Sequence, residues 1–451
     1  MQTVQPLLPP RPAMLPSTPV GRQLEWLCRA SSSDAVAEAE LRAHTTLTSL
    51  TLPRDLRVES FRARPRRAER AGAAVLRDGS GRRHHLKLIT DAAGRIESLW
   101  LTTIPNSWGE LGERIRSLAP DSSFLAAEIL ADGTVSPVYG VESTARRPIG
   151  SAVALYVLGA LAHGVDAGRL RWDEQLAVRD DWKTDLSSSI GRRPDGTMLS
   201  LRRYADDAIF TGDASAIDHL IGRLGRGAVE AQQVRFGHTQ VGANLPFLTV
   251  REATQLKVHP RIGAEYLATD DPRERLGYLR DVVSRLPRPT FRDRIDEPRL
   301  ADSVEWFASP SDVCNALAGL AMQAGLAGGG SDGPAGFHGP AGQAGFGEPA
   351  GFGEPAGQAG RNGPAAQPEV GAVLGQRGTA ALGLDVGRWP VGWSKDGAEP
   401  GVVTENFLAR TSSGRTVAVS LMASDPKQPL DIEATRAELL ACAVAAFSLS
   451  V

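Results

Sequence analysis

The sequence has few of the residues that build disulfide frameworks or structural metal sites. Its 451 residues include only three cysteines, which lie far apart and form no C-x-x-C pair: Cys28, Cys314 and Cys442. A sparse, odd set favours free thiols in a reducing compartment. No apolar run reaches the roughly 18 residues that a membrane helix needs, and the N-terminus lacks a basic segment followed by an apolar one. These absences predict a cytoplasmic protein that has no membrane partner.

An excess of charge of either sign is also missing. The chain has 50 basic and 52 acidic residues, so no global field attracts nucleic acid. A local basic cluster at residues 62–70, continued by Arg82 and Arg83, favours a solvated hairpin face over a nucleic-acid-binding patch. Lysine accounts for only five of the basic residues, which makes each lysine a candidate functional residue.

The usual motifs of metal and phosphate sites are absent as well. The sequence has no H-E-x-x-H, no G-K-[ST] and no EF-hand loop. His84 and His85 are adjacent, and adjacent residues on a strand point to opposite faces, which disfavours a shared metal ion. The sequence therefore predicts neither a metal nor a cofactor.

The first part of the chain predicts a small α+β domain. Apolar spacing predicts two short helices within residues 20–46, and residues 56–103 have strand character, with a hairpin at 71–90. Residues 107–118 predict a closing helix. We expect this domain at 19–120, behind a loose, proline-rich tail at 1–18.

The rest of the chain, residues 121–451, predicts a larger domain. Strand hairpins at both ends, a helical middle and a long terminal helix indicate a sheet covered by helices around a helical lobe. Helices are expected near 151–165, 201–209, 214–224, 249–257, 273–285 and 311–325. Recurring Pro-Ala-Gly units at 324–368 cannot bury a core and predict a flexible insertion within this domain.

Ser151 stands at the N-terminal end of the apolar helix predicted over 151–165. Unpaired N–H groups and the positive end of the helix dipole at such a position suit an oxyanion. A serine before an apolar helix also serves as an N-cap. The residue alone leaves both roles open.

The segments around Ser151 resemble one family. They are FLAAEI, PVYGVES, RRPIGSAVALYVLGAL, RRYADDAIFTGDASAIDHLIGRL, PFLTVREATQLK and VGWSKDGAEPGV. In this order they are similar to class A β-lactamase-like serine hydrolases related to the clavaldehyde-producing enzyme of clavulanic acid biosynthesis and to lipoprotein LpqF. The resemblance implies a steroid isomerase/polyketide cyclase-like α+β N-terminal domain. It also implies an α/β C-terminal domain of the β-lactamase/penicillin-binding protein type, with an antiparallel sheet and a helical lobe.

Three motifs carry the chemistry of that family, and each is altered here. In S-x-x-K the serine is Ser151, but Ala154 occupies the lysine position, so the expected base is missing. The S-D-N motif corresponds to residues 212–214, Gly-Asp-Ala, which keep only the aspartate. The K-T-G motif of the strand that lines the cleft is Lys-Asp-Gly at 395–397.

By this resemblance, the predicted catalytic residues are Ser151, Asp213 and Lys395, and the predicted substrate-binding residues are Gly212, Asp396, Gly397 and Lys183. Lys395 either replaces the missing base or supplies positive potential to an anionic ligand. Asp213 either transfers protons or caps its loop. Asp396 adds negative charge where related enzymes often recognise a substrate carboxylate.

The resemblance implies a serine esterase or acyl hydrolase linked to β-lactam or clavam metabolism, with low or altered activity because of Ala154. The alternative is a non-catalytic member that binds a ligand or assists a pathway partner. In both cases the partner is a small molecule, such as a β-lactam or clavam, and not nucleic acid. Only the enzyme needs a replacement base within hydrogen-bond reach of Ser151.

Overall fold

The computed structural model describes residues 15–33, 36–64, 70–184, 187–289, 295–326 and 367–451. Most of the predicted tail and of the predicted insertion, at residues 1–14 and 327–366, lies outside this described part. Within the described residues, no helix combines the length and the apolar character that a bilayer crossing needs.

The N-terminal part is an antiparallel sheet of four strands in the order β1-β2-β3-β4. Its elements are α1 (Pro19–Ala30), α2 (Glu38–His44), β1 (Arg57–Ala63), β2 (Ala71–Arg77), β3 (Arg83–Thr90) and β4 (Ile96–Thr103). The predicted β2–β3 hairpin is confirmed. The Asp78 carboxylate closes its turn by accepting hydrogen bonds from the backbone N–H groups of Ser80 and Arg82. Similarity to steroid isomerases stays a prediction.

The C-terminal part is built on a five-stranded antiparallel sheet in the order β11-β12-β13-β5-β6. Its strands are β5 (Asp121–Ile129), β6 (Val135–Val141), β11 (Val391–Glu399), β12 (Val402–Arg410) and β13 (Thr416–Ser424). Two short antiparallel pairs lie outside this sheet: β7 (Arg147–Pro148) with β10 (Phe307–Ala308), and β8 (Gln175–Ala177) with β9 (Met198–Ser200). Strand β11 lies at the edge of the sheet, so one of its sides is available to the helical part.

Within the described residues, eleven helices accompany this sheet. They are α3 (Trp108–Leu118), α4 (Ala154–Asp166), α5 (Leu201–Phe210), α6 (Ala214–Leu224), α7 (Arg226–Arg235), α8 (Val250–Val258), α9 (Pro260–Leu267), α10 (Pro272–Asp281), α11 (Pro310–Gln323), α12 (Pro368–Gly375) and, after the sheet, α13 (Ile432–Leu449). The expected helices near 201–209, 214–224, 249–257 and 311–325 are confirmed. Helix α7 was not expected because its sequence, RGAVEAQQVR, has little apolar periodicity.

The strand period divides the core into two layers. Leu408, Ala418 and Met422 pack with α4 and α11 on one face of the sheet. Their neighbours along the strands, such as Phe407 and Val419, pack with α13 on the other face. The sheet is therefore enclosed between the helical lobe and α13.

The two parts of the chain meet at α13, which contacts both β3 and β4. His85 on β3 also contacts the segment before β11, where its Nε2 lies 2.9 Å from the carbonyl oxygen of Ala381. Gly383 has a φ of +65°, and a Cβ there would lie 2.9 Å from backbone atoms of Ala74. The close approach of this segment to β2 thus requires glycine.

Candidate active site

Ser151 lies in a tight turn and not in the first turn of an α-helix. The chain forms a 3-10 turn over Gly150–Val153, and the α-helix begins only at Ala154. The turn is fixed because Ile149 N donates to Trp306 O at 2.9 Å and Gly150 takes a φ of +50°. The predicted helix over 151–165 is therefore confirmed except for its first residues.

Glycine lets the turn approach β11 closely. A Cβ on Gly397 would lie 2.1 Å from the carbonyl oxygen of Ile149 and 3.1 Å from the backbone nitrogen of Ala152. Contacts this short exclude every other residue without a shift of the backbone. Gly397 thus brings the edge strand against the segment that carries Ser151.

Lys395 is the polar side chain that this approach places at Ser151. Its Nζ donates a hydrogen bond to Ser151 Oγ at 3.0 Å and another to the carbonyl oxygen of Asp396. Ser151 Oγ in turn donates to the same Asp396 carbonyl at 3.1 Å. The hydroxyl, the amine and one peptide carbonyl therefore form a closed triangle of hydrogen bonds.

The amine of Lys395 has no exposed surface. Burial lowers the pKa of Lys395 to about 8; Asp396 opposes this change and Arg377 adds to it. The physical cause is that an ammonium group loses its hydration inside the protein. A lysine with this pKa exchanges protons near neutral pH.

The carboxylate of Asp396 lies beside Lys395, with its Oδ1 3.6 Å from Lys395 Nζ. Asp396 pairs with Glu405 across β11 and β12, on the face that α13 covers, and it forms ion pairs with Arg377 and Arg436. Burial disfavours its charge, but Arg377, Lys395 and Arg436 hold the pKa of Asp396 well below its ordinary range. The carbonyl of Asp396, and not its side chain, is what meets Ser151, and substrate contact by this carboxylate stays a prediction.

The loop before α6 borders the hydrogen-bonded triangle of Ser151, Lys395 and the Asp396 carbonyl. Gly212 has a φ of +68°, and a Cβ there would lie 3.1 Å from Ser151 Oγ and 3.6 Å from Lys395 Nζ. The backbone of this loop therefore borders the hydroxyl and the amine directly. Gly212 and Gly397 are the two predicted substrate-binding residues that the structure places beside Ser151.

The remaining predicted site residues have other hydrogen-bond partners. The buried Asp213 caps α6 by accepting from Ala216 N at 3.0 Å and from Ile190 N at 2.9 Å. Lys183 Nζ donates to Arg193 O at 2.6 Å and forms an ion pair with Asp180. Catalytic work by Asp213 and substrate binding by Lys183 stay predictions.

Sequence reasoning missed the two arginines that hold Asp396. Arg377 follows α12, and Arg436 lies on α13, 40 residues after its partner. No local motif marks either residue, because their contacts depend on the packing of α13 against the sheet. Among the described residues, no cluster of three or more His, Cys, Asp or Glu side chains is placed to hold a metal ion.

Comparison with known proteins gives one family match and several similar solved structures. PBP-A is 14% identical and covers 77% of this chain and 100% of its own, with a TM-score of 0.44. A beta-lactamase from Sphaerobacter thermophilus DSM 20745 is 17% identical, covers 75% of this chain and 96% of its own, and has a TM-score of 0.43. A variant of the last common ancestor of Gram-negative bacteria beta-lactamase class A is 15% identical, covers 76% of this chain and 97% of its own, and has a TM-score of 0.45.

No curated protein matches the chain. The family match spans residues 111–285, which is less than half of the chain, and its family is described as the beta-lactamase enzyme family. Lys395 lies beyond the matched segment. Over residues 111–285, which include Ser151 and Gly212, this chain is similar to the beta-lactamase enzyme family.

Proposed function

We propose that this protein is a β-lactamase-like serine acyl hydrolase in which Lys395 deprotonates Ser151. The observation that carries the proposal is the 3.0 Å hydrogen bond between Lys395 Nζ and Ser151 Oγ. A pKa of about 8 leaves roughly a tenth of the amine neutral at pH 7, and neutral amine is the form that accepts a proton. Lys395 thereby takes the role that Ala154 cannot perform.

The proposed reaction begins when Ser151 Oγ attacks the carbonyl carbon of an ester or amide. The new C–O bond forms as Lys395 Nζ takes the hydroxyl proton, and the carbonyl π electrons move to the oxygen. Collapse of this intermediate breaks the bond to the leaving group, which receives the proton from Lys395. Water then cleaves the acyl-serine by the reverse sequence.

Strand β11 also supplies a donor for the oxyanion. The N–H and C=O of one strand residue point to the same side, and alternate residues repeat this direction. The carbonyl of Asp396 faces Ser151, so the N–H of Ala398 faces the same side. The nitrogen of Ala398 lies 3.5 Å from the position that a Cβ on Gly150 would take. This donor supports acyl transfer at Ser151.

For the substrate class we propose β-lactam- or clavam-like acyl compounds, with low turnover. The support is the similarity of residues 111–285 to the beta-lactamase enzyme family. The sequence has no Glu-x-x-x-Asn segment of the kind that positions a deacylating water in class A enzymes. Thr249 and Glu252 instead form a capping box at the start of α8. We therefore expect slow release of the acyl group.

The test is intact-protein mass spectrometry after incubation with a fluorophosphonate and, separately, with a panel of β-lactams. We expect the wild type to gain one adduct, Ser151→Ala to gain none, and Lys395→Met to react about 10²–10⁴-fold more slowly. The exposed Lys427→Met is the matched control and should react like the wild type. The rate should rise with pH and level off above a midpoint near 8.

Two outcomes would contradict the proposal. Equal labelling of the wild type and Lys395→Met would show that Lys395 is not the base. An unreactive wild type that binds a β-lactam reversibly in calorimetry would support the alternative, a non-catalytic ligand-binding protein. Ala154→Lys separates these cases further, because labelling that appears only in this variant would show that the helix lysine is indispensable.

A further inference from the structure

A chain of charged side chains connects the N-terminal sheet to the Ser151 site. It begins at Lys87 on β3, whose side chain is only 7% exposed. Lys87 Nζ lies 4.4 Å from the centre of the Trp100 ring and donates a hydrogen bond to Glu433, near the start of α13. The side chain of Lys87 thus reaches from the N-terminal sheet to the C-terminal part.

The next link is Arg436, one helical turn after Glu433. Its guanidinium lies 3.3 Å from Glu433 Oε1, donates to Glu405 Oε1 at 2.7 Å and contacts Asp396 Oδ2 at 3.3 Å. Arg377 holds the same Asp396 carboxylate with two of its nitrogens. The carboxylate is therefore clamped between two arginines that come from different segments.

Asp396 is also the residue whose carbonyl accepts hydrogen bonds from both Ser151 Oγ and Lys395 Nζ. The carboxylate and the carbonyl belong to the same residue, so the ion pairs that fix the carboxylate also restrict the position of the carbonyl. Any shift of Arg436 consequently moves both the charge beside Lys395 and the peptide that orients Ser151.

We propose that Lys87 and Arg436 are positioning residues, through which the N-terminal sheet sets the charge state of Lys395 and the orientation of Ser151. The catalytic consequence rests on the proposed function, whereas the coupling itself can be measured on Lys395 alone. The proposal gives the N-terminal part a role at the Ser151 site although none of its described residues contacts the serine.

The direction of the effect follows from the charges around Lys395. Asp396 on its own strand and Glu405 on β12 raise the pKa of Lys395, whereas Arg377 lowers it. Ser151 and Gly212, on the side of the helical lobe, are uncharged. Arg436 neutralises both carboxylates, and Arg64, at the end of β1, adds positive potential to the same cluster.

Removal of Arg436 leaves Asp396 and Glu405 less neutralised, so the pKa of Lys395 rises. Removal of Lys87 acts in the same direction but more weakly, because Glu433 then loses its lysine and attracts Arg436 away from Asp396. Both changes leave less neutral amine at pH 7, so both slow any reaction in which Lys395 is the base.

The coupling is tested by a pH titration of the lysine Nζ signals in nitrogen-15 NMR spectra of the full chain. The chain has only five lysines, and Lys395→Met identifies the signal of interest. We expect a wild-type midpoint near 8, an increase of about 1 unit in Arg436→Gln, about 0.5 unit in Lys87→Met, and a return toward the wild-type value in Arg436→Lys.

Ser448→Ala is the matched control. Ser448 accepts a hydrogen bond from Arg83 at 3.0 Å, which is another contact between β3 and α13 but has no link to Asp396. This variant should leave the midpoint unchanged. If Arg436→Gln fails to fold, Lys87→Met and Arg436→Lys still test the coupling. Lys87→Met keeps an apolar stem at its position, and Arg436→Lys keeps a positive charge.

The second measurement is the pH profile of fluorophosphonate labelling. An increase of 1 unit in the Lys395 midpoint corresponds to about tenfold slower labelling at pH 7. Unchanged midpoints in both Arg436→Gln and Lys87→Met would overturn the coupling, even if the wild type reacts normally. If the midpoint moves but the wild type does not react at all, the proposed function fails and the coupling stands.

Discussion

Lys395 destabilises the folded protein at any pH at which its buried amine is protonated. Burial lowers the pKa of Lys395 to about 8, below the ordinary value of 10.5, so the unfolded chain binds more protons between these pH values. The penalty is present in full below pH 8 and disappears as the pH rises above about 10.5. Its size at pH 7 is up to about 3 kcal/mol.

We therefore predict that Lys395→Met is more stable than the wild type at pH 7, by about 1–3 kcal/mol, and that this advantage shrinks toward pH 10. Urea unfolding at the two pH values measures the difference. Lys427→Met, which changes an exposed lysine, should show no such pH dependence. A loss of stability of equal size at both pH values would show that the amine is not perturbed.

The pairing of Ser151 with Lys395 could be expected from the sequence, whereas the partners of Asp396 could not. The family resemblance names both residues of the 3.0 Å hydrogen bond, although it leaves the role of Lys395 open. Arg377 and Arg436 belong to no motif, and the side of β11 on which Asp396 lies depends on strand register. Sequence identifies reactive residues more readily than it identifies the charges that tune them.

Among the structural elements, the contact between β11 and the Ser151 turn is the most sensitive to side-chain volume. A Cβ on Gly397 would collide with the backbone of Ile149 at 2.1 Å. We predict that Gly397→Ala lowers the free energy of unfolding by about 2 kcal/mol or more and reduces Ser151 labelling, because the strand must move away from the turn.

The matched control is Gly277→Ala. Gly277 lies inside α10, and a Cβ there meets no atom within 4 Å. Alanine at this position should stabilise the helix by about 0.5–1 kcal/mol and leave labelling unchanged. Thermal unfolding and labelling rates measure both variants; a neutral Gly397→Ala would mean that the turn and the strand are not held in contact.

Most of the helices and strands follow from local sequence, and the exceptions have physical reasons. The β2–β3 hairpin has apolar strands on both sides of an Asp-Gly turn, and α13 has an Asp431 cap. The 3-10 turn before α4 is not marked in this way, because its conformation depends on Trp306 and Gly397, which lie far away along the chain. Contacts between distant parts of the chain therefore determine the conformation of the turn that carries Ser151.

At the scale of the whole molecule, the described residues on either side of 327–366 lie close together. The backbone nitrogen of Gln367 donates a hydrogen bond to the carbonyl oxygen of Gln323 at 2.9 Å. Gln367 also contacts α4, because its Nε2 donates to Ala162 O at 3.0 Å. The fold therefore has a natural short connection at this point.

The sequence predicts a flexible insertion here, and a tenfold shorter loop costs less entropy to close. We therefore predict that replacing residues 327–366 by a linker of about four residues preserves the fold and raises the free energy of unfolding by about 1–2 kcal/mol. Chemical unfolding measures the change, and Ser151 labelling shows whether the site survives. Loss of labelling without loss of stability would indicate that the segment contributes directly to the site.

The register of β11 has one more consequence. Lys395 and Asp396 are neighbours in sequence, and their side chains stay within reach of each other, with Lys395 Nζ 3.6 Å from Asp396 Oδ1. Their other partners differ: the amine contacts Ser151, whereas the carboxylate contacts Arg377 and Arg436. An amine that gains and loses a proton near pH 8 therefore lies beside a carboxylate that stays charged. Each protonation of the amine changes the balance of charge in the cluster that joins β11 to α13.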